Sequence, residues 1–502
     1  MKNIKNKVLV LMGIALLSSC NDFLDETPDN RTRLDSPEAV SELLVSSYPE
    51  AGCLAFTEVM SDNVADKGIG GYIAEYQANE DAFFWKDSGA EDYDTPVFYW
   101  NACYTAIAAA NEALNAIELA SDKENYTAQK GEALATRAYS HFMLVNLFAK
   151  HYNPETAKTD LGVPFVEKSE KVVFEQYERA TVQEVYDNIE RDINLAFELI
   201  KDEAYSVPKY HMTKTALHAF ASRFYLYKGE WDKVIEHSNY VLGANAASKL
   251  RDWTGKYMTY EAMELWAQYT KSEEQANLML NRQYTNWGGG LVVFRYSLAS
   301  SKATELFGES DAGEANFDLI IGSKLLYAAG ELQLGFIPKF QNRTESHGGN
   351  ADIGYPNSIV PIFTAEEVLF NRAEAYAMTT DYTSALSDLD AYYSKRSQTY
   401  NPDNKIDLNQ IKAAYEMVAA PDMAPFYAVN ADQKFYVSYL LDLRRREFVH
   451  EGLRWFDLKR YNIEVVHTLV DGSTVTLPKD DLRRAIQIPA QAVAIGLQAN
   501  PR

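Results

Sequence analysis

The sequence predicts a mainly α-helical protein, in which helical hairpins stack as an α-solenoid scaffold beside an irregular, loop-rich half. Three observations support this prediction. Apolar residues recur with helical spacing, one helix pair occurs twice, and a long aromatic segment without helical period separates the two copies. The chain has 502 residues and is 47% hydrophobic, which is ample for a folded core.

Residues 1–19 have the features of a cleaved signal peptide. Three lysines precede a mostly apolar stretch at 8–17, which is half of the roughly 20 apolar residues that a membrane-spanning helix needs. Because this stretch ends in small residues, we expect cleavage after residue 19.

Cys20 is the predicted lipidation site. It closes the run Leu17-Ser18-Ser19-Cys20, which resembles the lipobox of bacterial lipoproteins. Two or more acyl chains on this cysteine would hold a soluble domain stably on a membrane, and ordinary secretion with an unmodified Cys20 is the alternative. The polar, acidic stretch at 20–37 is then a flexible tether, and 38–502 is one folded domain.

The charge balance argues against two classes of partner. A net charge of −23 disfavours binding to nucleic acid and to anionic lipid.

Beyond Cys20 the chain has only Cys53 and Cys103. A disulfide between them and two separate thiols both remain open, and the absence of metal-ligand spacing favours small buried residues.

The clearest amphipathic helix begins at a capping box formed by Thr181 and Glu184. An apolar stripe with helical spacing follows it: Val182, Val185, Tyr186, Ile189, Ile193, Ala196 and Ile200.

Two helix pairs look like copies of one unit. The pair at 216–228 and 231–242 matches the pair at 366–378 and 382–395 after a shift of 151 residues, so that Tyr225 falls on Tyr376. An aromatic residue late in the first helix and another at the start of the second resemble a tetratricopeptide-type hairpin. We therefore expect scaffold hairpins at about 104–149, 182–242 and 362–395, and an unrelated pair of antiparallel helices is the alternative.

The segment at about 245–361 is predicted to be a variable, loop-rich insertion. It carries glycine clusters and many aromatic residues, and it has no sustained helical period after about Asn281. A long interruption between helical repeats is where a solenoid usually carries recognition loops.

The C-terminal block at 436–490 contains arginines and acids three residues apart, such as Arg444 with Glu447 and Arg454 with Asp457. This spacing permits pairing on a helix. The interleaved acids and aromatics favour a structural network beneath Trp455 over a phosphate site.

Catalytic motifs are missing from the sequence: it has no G-x-S-x-G, H-E-x-x-H, C-x-x-C or P-loop. His211 and His218 have no acidic or cysteine partner in pattern, so we interpret them as packing residues. We expect a protein that is not an enzyme.

Aromatic side chains supply the candidate ligand-binding residues. Flat rings beside amide and carboxylate groups are what a glycan site requires. Trp100, Trp231 and Trp455 lie in predicted helices at apolar positions and are assigned to the core. The candidates lie in or beside irregular segments, where packing within a loop is the competing interpretation for each: Asp62, Asn63, Tyr72, Tyr76, Trp85, Trp253, Tyr284, Asn286 and Trp287.

Several blocks occur in an order and spacing that are typical of one known family. They are Cys20-Asn21-Asp22-Phe23-Leu24-Asp25, Gly131-Glu132-Ala133-Leu134-Ala135-Thr136-Arg137-Ala138-Tyr139, Ala373-Glu374-Ala375-Tyr376, Arg446-Glu447-Phe448-Val449-His450-Glu451-Gly452-Leu453-Arg454-Trp455-Phe456-Asp457-Leu458-Lys459-Arg460-Tyr461 and Ile486-Gln487-Ile488-Pro489. On these blocks the chain resembles the SusD/RagB family of nutrient-binding outer-membrane lipoproteins from Bacteroidetes. His450 departs from the family, which often has a small residue there.

The resemblance implies a cell-surface, lipid-anchored protein of the outer membrane. Its partner would be a SusC-type TonB-dependent transporter, over which it forms a lid supported by four tetratricopeptide-like hairpins. The implied cargo is an oligosaccharide, with a peptide as the alternative and a surface glycan-degrading enzyme as a lower one. No cofactor or metal is predicted, although the resemblance leaves room for a structural calcium ion. The matching motifs are structural or targeting motifs, so no ligand contact transfers from them.

Overall fold

The computed structural model describes residues 34–70, 73–169, 176–308, 327–329, 334–346, 354–417 and 420–502. The predicted signal peptide, Cys20 and most of the tether lie outside these residues, as does Tyr72.

Helices dominate the described residues, which confirms the prediction of a mainly α-helical fold. They are α1 (Pro37–Leu44), α2 (Leu54–Val59), α3 (Gln77–Phe83), α4 (Pro96–Leu119), α5 (Thr127–Phe148), α6 (Val182–Leu199), α7 (Lys214–Lys228), α8 (Trp231–Leu242), α9 (Ala262–Tyr269), α10 (Trp287–Val293), α11 (Ser300–Phe307), α12 (Ala365–Met378), α13 (Tyr382–Arg396), α14 (Leu408–Met417), α15 (Ala431–Glu447), α16 (Leu453–Arg460) and α17 (Ala490–Ala494).

Short strands occur mostly in the irregular half. They are β1 (Ala65–Asp66), β2 (Asn277–Tyr284), β3 (Tyr296–Ser297), β4 (Tyr327–Ala329), β5 (Leu334–Phe336), β6 (Arg343–Ser346), β7 (Gly354–Thr364), β8 (Val465–Thr468) and β9 (Thr474–Leu477). The pairs β1–β3, β4–β5 and β8–β9 are two-stranded and antiparallel.

The core is built around α5, which is buried along almost its whole length and packs between α4 and α6. Gly131 lets the end of α6 approach closely, since a Cβ there would lie 2.7 Å from the backbone nitrogen of Ile200, and a helix that is buried all round lies in the core of a large protein. On α6, Thr181 and Glu184 form the predicted capping box. The predicted apolar stripe of α6 is buried, from Val182 to Ile200.

The two predicted copies of the hairpin lie against each other, because α12 packs on α7 and α8. Each hairpin turns through one residue with left-handed backbone, Gly229 between α7 and α8 (φ 71°) and Thr380 between α12 and α13 (φ 65°). These two positions are related by the same shift of 151 residues that relates the sequences. A two- or three-residue turn makes the helices of each pair antiparallel neighbours.

The C-terminal arginines form a buried structural network, as predicted, but their partners are distant in sequence. Arg444 pairs with Asp457 at 2.9 Å, Arg454 pairs with Asp62 at 2.8 Å, and Glu447 accepts from Arg396 at 2.8 Å. Tertiary packing places these groups opposite one another, although Arg460 does pair with Asp457, three residues earlier on the same helix, at 2.8 Å.

A three-stranded antiparallel sheet in the irregular half was not expected from the sequence. β7 lies between β2 and β6. It contains Pro356 and Pro361. Proline has no N–H to donate to a neighbouring strand, so it is unusual in a central strand. These prolines and the missing alternation in β2 explain why the pattern did not predict strands.

Cys53 and Cys103 are free thiols. Within the described residues, no group of three or more His, Cys, Asp or Glu side chains is placed to hold a metal ion. A search of the same residues finds no helix with the length and apolar character to cross a membrane.

Candidate functional site

An exposed group of tyrosines, here called the tyrosine cluster (Tyr93, Tyr284 and Tyr355), lies at the edge of the β2–β7–β6 sheet. The rings of Tyr93 and Tyr284 are stacked, with centroids 6.0 Å apart and planes at 28°. Tyr355 meets Tyr284 edge-on, with centroids 5.9 Å apart. Tyr355 is 42% exposed and the other two are half-buried, so the cluster offers aromatic surface to solvent.

The sheet brings two of these rings together. Tyr284 is the last residue of β2 and is paired with Asn357, two residues after Tyr355 on β7. Arg282, two residues earlier on β2, lies on the same face, since side chains alternate along a strand. Its guanidinium is 5.2 Å from the centre of the Tyr284 ring.

Polar groups flank the cluster. Arg282 pairs with Glu50 at 3.0 Å, and both side chains are substantially exposed. The N–H of Tyr284 donates to the carbonyl of Glu50 at 2.7 Å, which fixes that segment beside β2. An exposed ion pair contributes little stability, so its charged groups can exchange partners with a ligand at small cost.

A buried carboxylate, Asp94, holds Tyr93 in place. It accepts hydrogen bonds from the Thr285 hydroxyl and from the N–H of Asn286, the latter at 2.7 Å. Burial raises the pKa of Asp94 to about 6, although these two hydrogen bonds oppose the shift. Asp94 has left-handed backbone (φ 66°), which turns the chain sharply after Tyr93. This contact ties the loop before α4 to the end of β2.

Three of the predicted site residues belong to this region. Tyr284 is in the cluster. Tyr76 stacks on Phe294 with centroids 5.5 Å apart and donates through its hydroxyl to the Tyr93 carbonyl at 3.1 Å. Asn286 contributes its backbone N–H to Asp94, so Tyr76 and Asn286 support the cluster from behind.

The predicted tryptophans lie in the core. Trp253 is fully buried beside Tyr257, and Trp287 is 1% exposed, with its indole N–H donating to the His450 carbonyl at 2.9 Å. Neither tryptophan has the exposed ring face that its predicted role in ligand binding requires. Packing outweighs exposure here because tryptophan buries more apolar area than any other side chain.

Trp85 is also buried, at 4% exposure. Its indole N–H donates to the Met60 carbonyl at 3.0 Å, and its ring stacks on His467 with centroids 4.3 Å apart. It lines one wall of a cavity of about 560 Å³ whose other walls include Phe56 and Met60. This cavity does not include the tyrosine cluster.

The polar candidates Asp62 and Asn63 are held in ion pairs and hydrogen bonds. Burial raises the pKa of Asp62, but Arg445 and Arg454 outweigh it and hold that pKa far below its usual range. Asn63 is fully buried, donates to Glu58 at 2.9 Å and accepts from Arg445 at 2.8 Å. Both residues anchor the C-terminal block.

Sequence reasoning missed Tyr93, Tyr355 and Arg282. The predicted site residues include three tyrosines and three tryptophans, and Tyr355 and Arg282 fall on strands that the sequence pattern does not predict. The run Asp92-Tyr93-Asp94, in which acids flank an aromatic residue just before a helix, was a local signal for Tyr93.

Two family models match the chain, and together they cover most of it. A SusD-like model described as "Starch-binding associating with outer membrane" matches residues 22–226, and a model of the SusD family matches residues 335–489.

A curated relative matches about half of the chain. SusD-like protein P2 of Formosa agariphila is 23% identical over 261 residues, which are 49% of this chain and 48% of the relative. The chain thus spans about half the length of this curated relative.

Solved structures share the fold over nearly the whole chain. A SusD superfamily protein from Bacteroides thetaiotaomicron has a TM-score of 0.65 at 18% identity, covering 94% of this chain and 100% of its own. A putative sugar binding protein from Bacteroides vulgatus has a TM-score of 0.67 at 18% identity, covering 94% and 99%. A laminarin binding SusD-like protein has a TM-score of 0.59 at 16% identity, covering 92% and 99%.

Proposed function

Because this chain belongs to the SusD/RagB family, we propose that it is a non-catalytic, cell-surface lipoprotein that binds an oligosaccharide and passes it to a SusC-type TonB-dependent transporter. The observation that carries the binding part is the exposed, stacked tyrosine cluster at the edge of the β2–β7–β6 sheet.

The chemistry of the cluster suits a sugar. The C–H faces of a sugar ring pack on aromatic planes, and its hydroxyl groups need charged or amide partners. The rings of Tyr93 and Tyr284 offer such planes, and Arg282 and Glu50 offer the polar partners beside them.

The relatives support the same class of ligand. One model is described as starch-binding, and two structural neighbours are described as sugar-binding and laminarin-binding. Delivery to a transporter and anchoring through Cys20 rest on family membership and on the leader sequence.

Binding is tested by calorimetry and affinity electrophoresis against a panel of starch, laminarin and other glycans, with a peptide panel alongside. Replacing Tyr284 by alanine removes the middle ring, so we expect it to weaken glycan binding about tenfold, or about 1.4 kcal/mol. The matched control is Tyr240→Ala, which removes a tyrosine on α8 that is 50% exposed, and it should bind as the unmodified protein does.

Two results would contradict the proposal. Equal glycan affinity for Tyr284→Ala and Tyr240→Ala would show that the tyrosine cluster does not contact the glycan. Peptide binding without any glycan binding would show that the ligand is a peptide and not an oligosaccharide.

A further inference from the structure

A second cavity, of about 420 Å³, lies where four segments meet: the stretch after α5, the loop before α15, the end of α16 and residues 480–485. It shares no lining residue with the tyrosine cluster. Its walls carry many basic groups for a protein of net charge −23: Lys150, His151, Lys459, Arg460 and Arg484.

The acids on these walls already have partners. Asp160 pairs with Lys150 at 2.7 Å, Asp481 pairs with Arg483 at 2.7 Å, and Asp480 accepts from the Asn462 side chain at 2.7 Å. Arg460 is likewise matched, because Glu374 and Asp457 accept from its two terminal nitrogens.

Lys459 and Arg484 make no direct ion pair. Both are buried, at 7% exposure, and in the described part of the chain no carboxylate oxygen lies within 4 Å of either cation. Burial, and then the charge of Arg484, lowers the pKa of Lys459 to about 7, whereas Arg484 is attracted by the nearby carboxylates of Asp481 and Asp480. Lys459 donates to the carbonyls of Asn146 and Ala149 at 2.6 and 3.0 Å, and Arg484 also donates only to carbonyls. A buried cation costs several kcal/mol unless it is paired, and carbonyl dipoles only partly replace a full charge.

A donor is also left unfilled on these walls. An ammonium group has three N–H bonds, and two of those on Lys459 are used. A buried donor without an acceptor in a folded protein indicates strain or an unseen water or ion.

His151 completes the set. Among the described residues its imidazole makes no hydrogen bond, and its ring packs near Tyr227 and Phe426 with centroids 6.0 Å away. Burial and then the charges of Arg460 and Lys459 hold the pKa of His151 well below its usual range. The ring is therefore neutral at pH 7 and offers one N–H to the cavity that it lines.

We propose that this cavity binds an oxyanion, that is, a sulfate, phosphate or carboxylate group. Such a group would give Lys459 a counter-charge and supply acceptors for the free N–H bonds of Lys459 and His151. The cavity is larger than a bare ion, so it has room for an oxyanion carried by a small organic molecule. This site goes beyond glycan binding at the tyrosine cluster and does not depend on it.

The test is isothermal titration of the full-length protein with sodium sulfate, sodium phosphate and sodium glucuronate, at constant ionic strength set with sodium chloride. We expect saturable binding at one site per chain, and the three salts show which oxyanion binds best. Lys459→Met should weaken this binding at least tenfold, since it removes the ammonium group that a bound anion would hold in its charged form. His151→Phe should weaken it about threefold to tenfold, because it removes one donor and keeps the aromatic packing.

His218→Phe is the matched control, since it replaces a half-buried histidine on α7 that does not line the cavity, and it should leave anion affinity unchanged. If Lys459→Met does not fold, as judged by circular dichroism, His151→Phe decides. No saturable binding of any of the three anions would overturn the proposal. Binding that His151→Phe leaves unchanged would do the same, because it would show an adventitious ion only.

Discussion

At the scale of single residues, Asp94 links the fold to the candidate site. Its carboxylate is buried, and it joins the loop that carries Tyr93 to the end of the strand that carries Tyr284. A buried carboxylate is costly in its charged form, and its two hydrogen bonds only partly offset that cost. The position of Tyr93 therefore depends on a group whose charge changes near pH 6.

This predicts a pH dependence of stability. The folded-state pKa of Asp94 is about 6, above its ordinary value of 3.8, so the folded protein holds this proton more tightly than the unfolded chain. The contribution of Asp94 is fully present below about pH 4 and is lost as the pH rises through about 6. Urea unfolding from pH 4 to 7 should therefore show the unmodified protein losing up to about 3 kcal/mol relative to Asp94→Asn. A constant difference between the two would contradict the raised pKa.

At the scale of elements, the two hairpins differ at their turns. Gly229 and Thr380 both have left-handed backbone, but glycine adopts it freely and a β-branched residue does not. The hairpin of α12 and α13 keeps this strained turn because Asp381 caps α13 and the N–H of Asp381 donates back to the Tyr376 carbonyl at 2.8 Å. The same backbone is thus reached by two different residues.

Replacing Thr380 by glycine should stabilise the protein by about 1 kcal/mol, because it removes the strain of the left-handed residue. The reverse change at the other turn, Gly229→Thr, should destabilise it, and a Cβ there would also lie 3.2 Å from Phe426. Chemical denaturation measures both. A lower stability of Thr380→Gly would show that the threonine side chain makes a contact worth more than the strain.

Buried ion pairs join the helices of the C-terminal half. Glu447 on α15 accepts from two nitrogens of Arg396 on α13, each at 2.8 Å, and from the Tyr392 hydroxyl at 3.1 Å. Burial raises the pKa of Glu447, but Arg396 outweighs it and lowers that pKa overall. The same arginine donates to Glu366 on α12 at 3.0 Å, so one guanidinium connects three helices.

Glu447→Gln should cost about 3 kcal/mol, because it leaves the buried charge of Arg396 with one partner fewer. The matched control is Glu118→Gln, which breaks the ion pair between Lys123 and Glu118. The Glu118 side chain is 71% exposed, so this variant should change stability by less than about 0.5 kcal/mol. Thermal and urea unfolding of the two variants give the comparison. Similar losses of unfolding free energy in the two variants would show that packing, and not the buried ion pairs, stabilises this region.

At the scale of the whole molecule, a strongly acidic domain follows a sequence with the features of a lipoprotein leader. The negative charge disfavours direct attachment to anionic lipid. The proposed function therefore places the membrane attachment at an acylated Cys20, with the acidic stretch after it as the proposed tether.

If the proposed attachment is right, Cys20→Ser should release the protein from the membrane fraction without unfolding it, since it removes the only residue proposed to carry acyl chains. Fractionation of cells followed by circular dichroism of the released protein measures both parts. Cys53→Ser is the matched control, because Cys53 is a free thiol within the fold, and that variant should stay membrane-bound. A Cys20→Ser protein that remains with the membrane would show another means of attachment.

The sequence by itself determined the features that depend on local pattern. Helical spacing located α6 with its capping box, the shift of 151 residues located the two hairpins, and apolar positions placed Trp100 and Trp455 in the core. These features follow from periodicity and capping, which act between residues a few positions apart.

Only the tertiary structure decided which residues meet across long separations. Tyr93, Tyr284 and Tyr355 come from three distant segments, and a strand with two prolines brings the last two together. Arg444 and Arg454 likewise choose partners outside their own helices. Burial is decided in the same way, since Trp253 and Trp287 lie in irregular stretches yet fill the core. Pairing across a sheet and competition for the core depend on the whole chain, so no local pattern contains them.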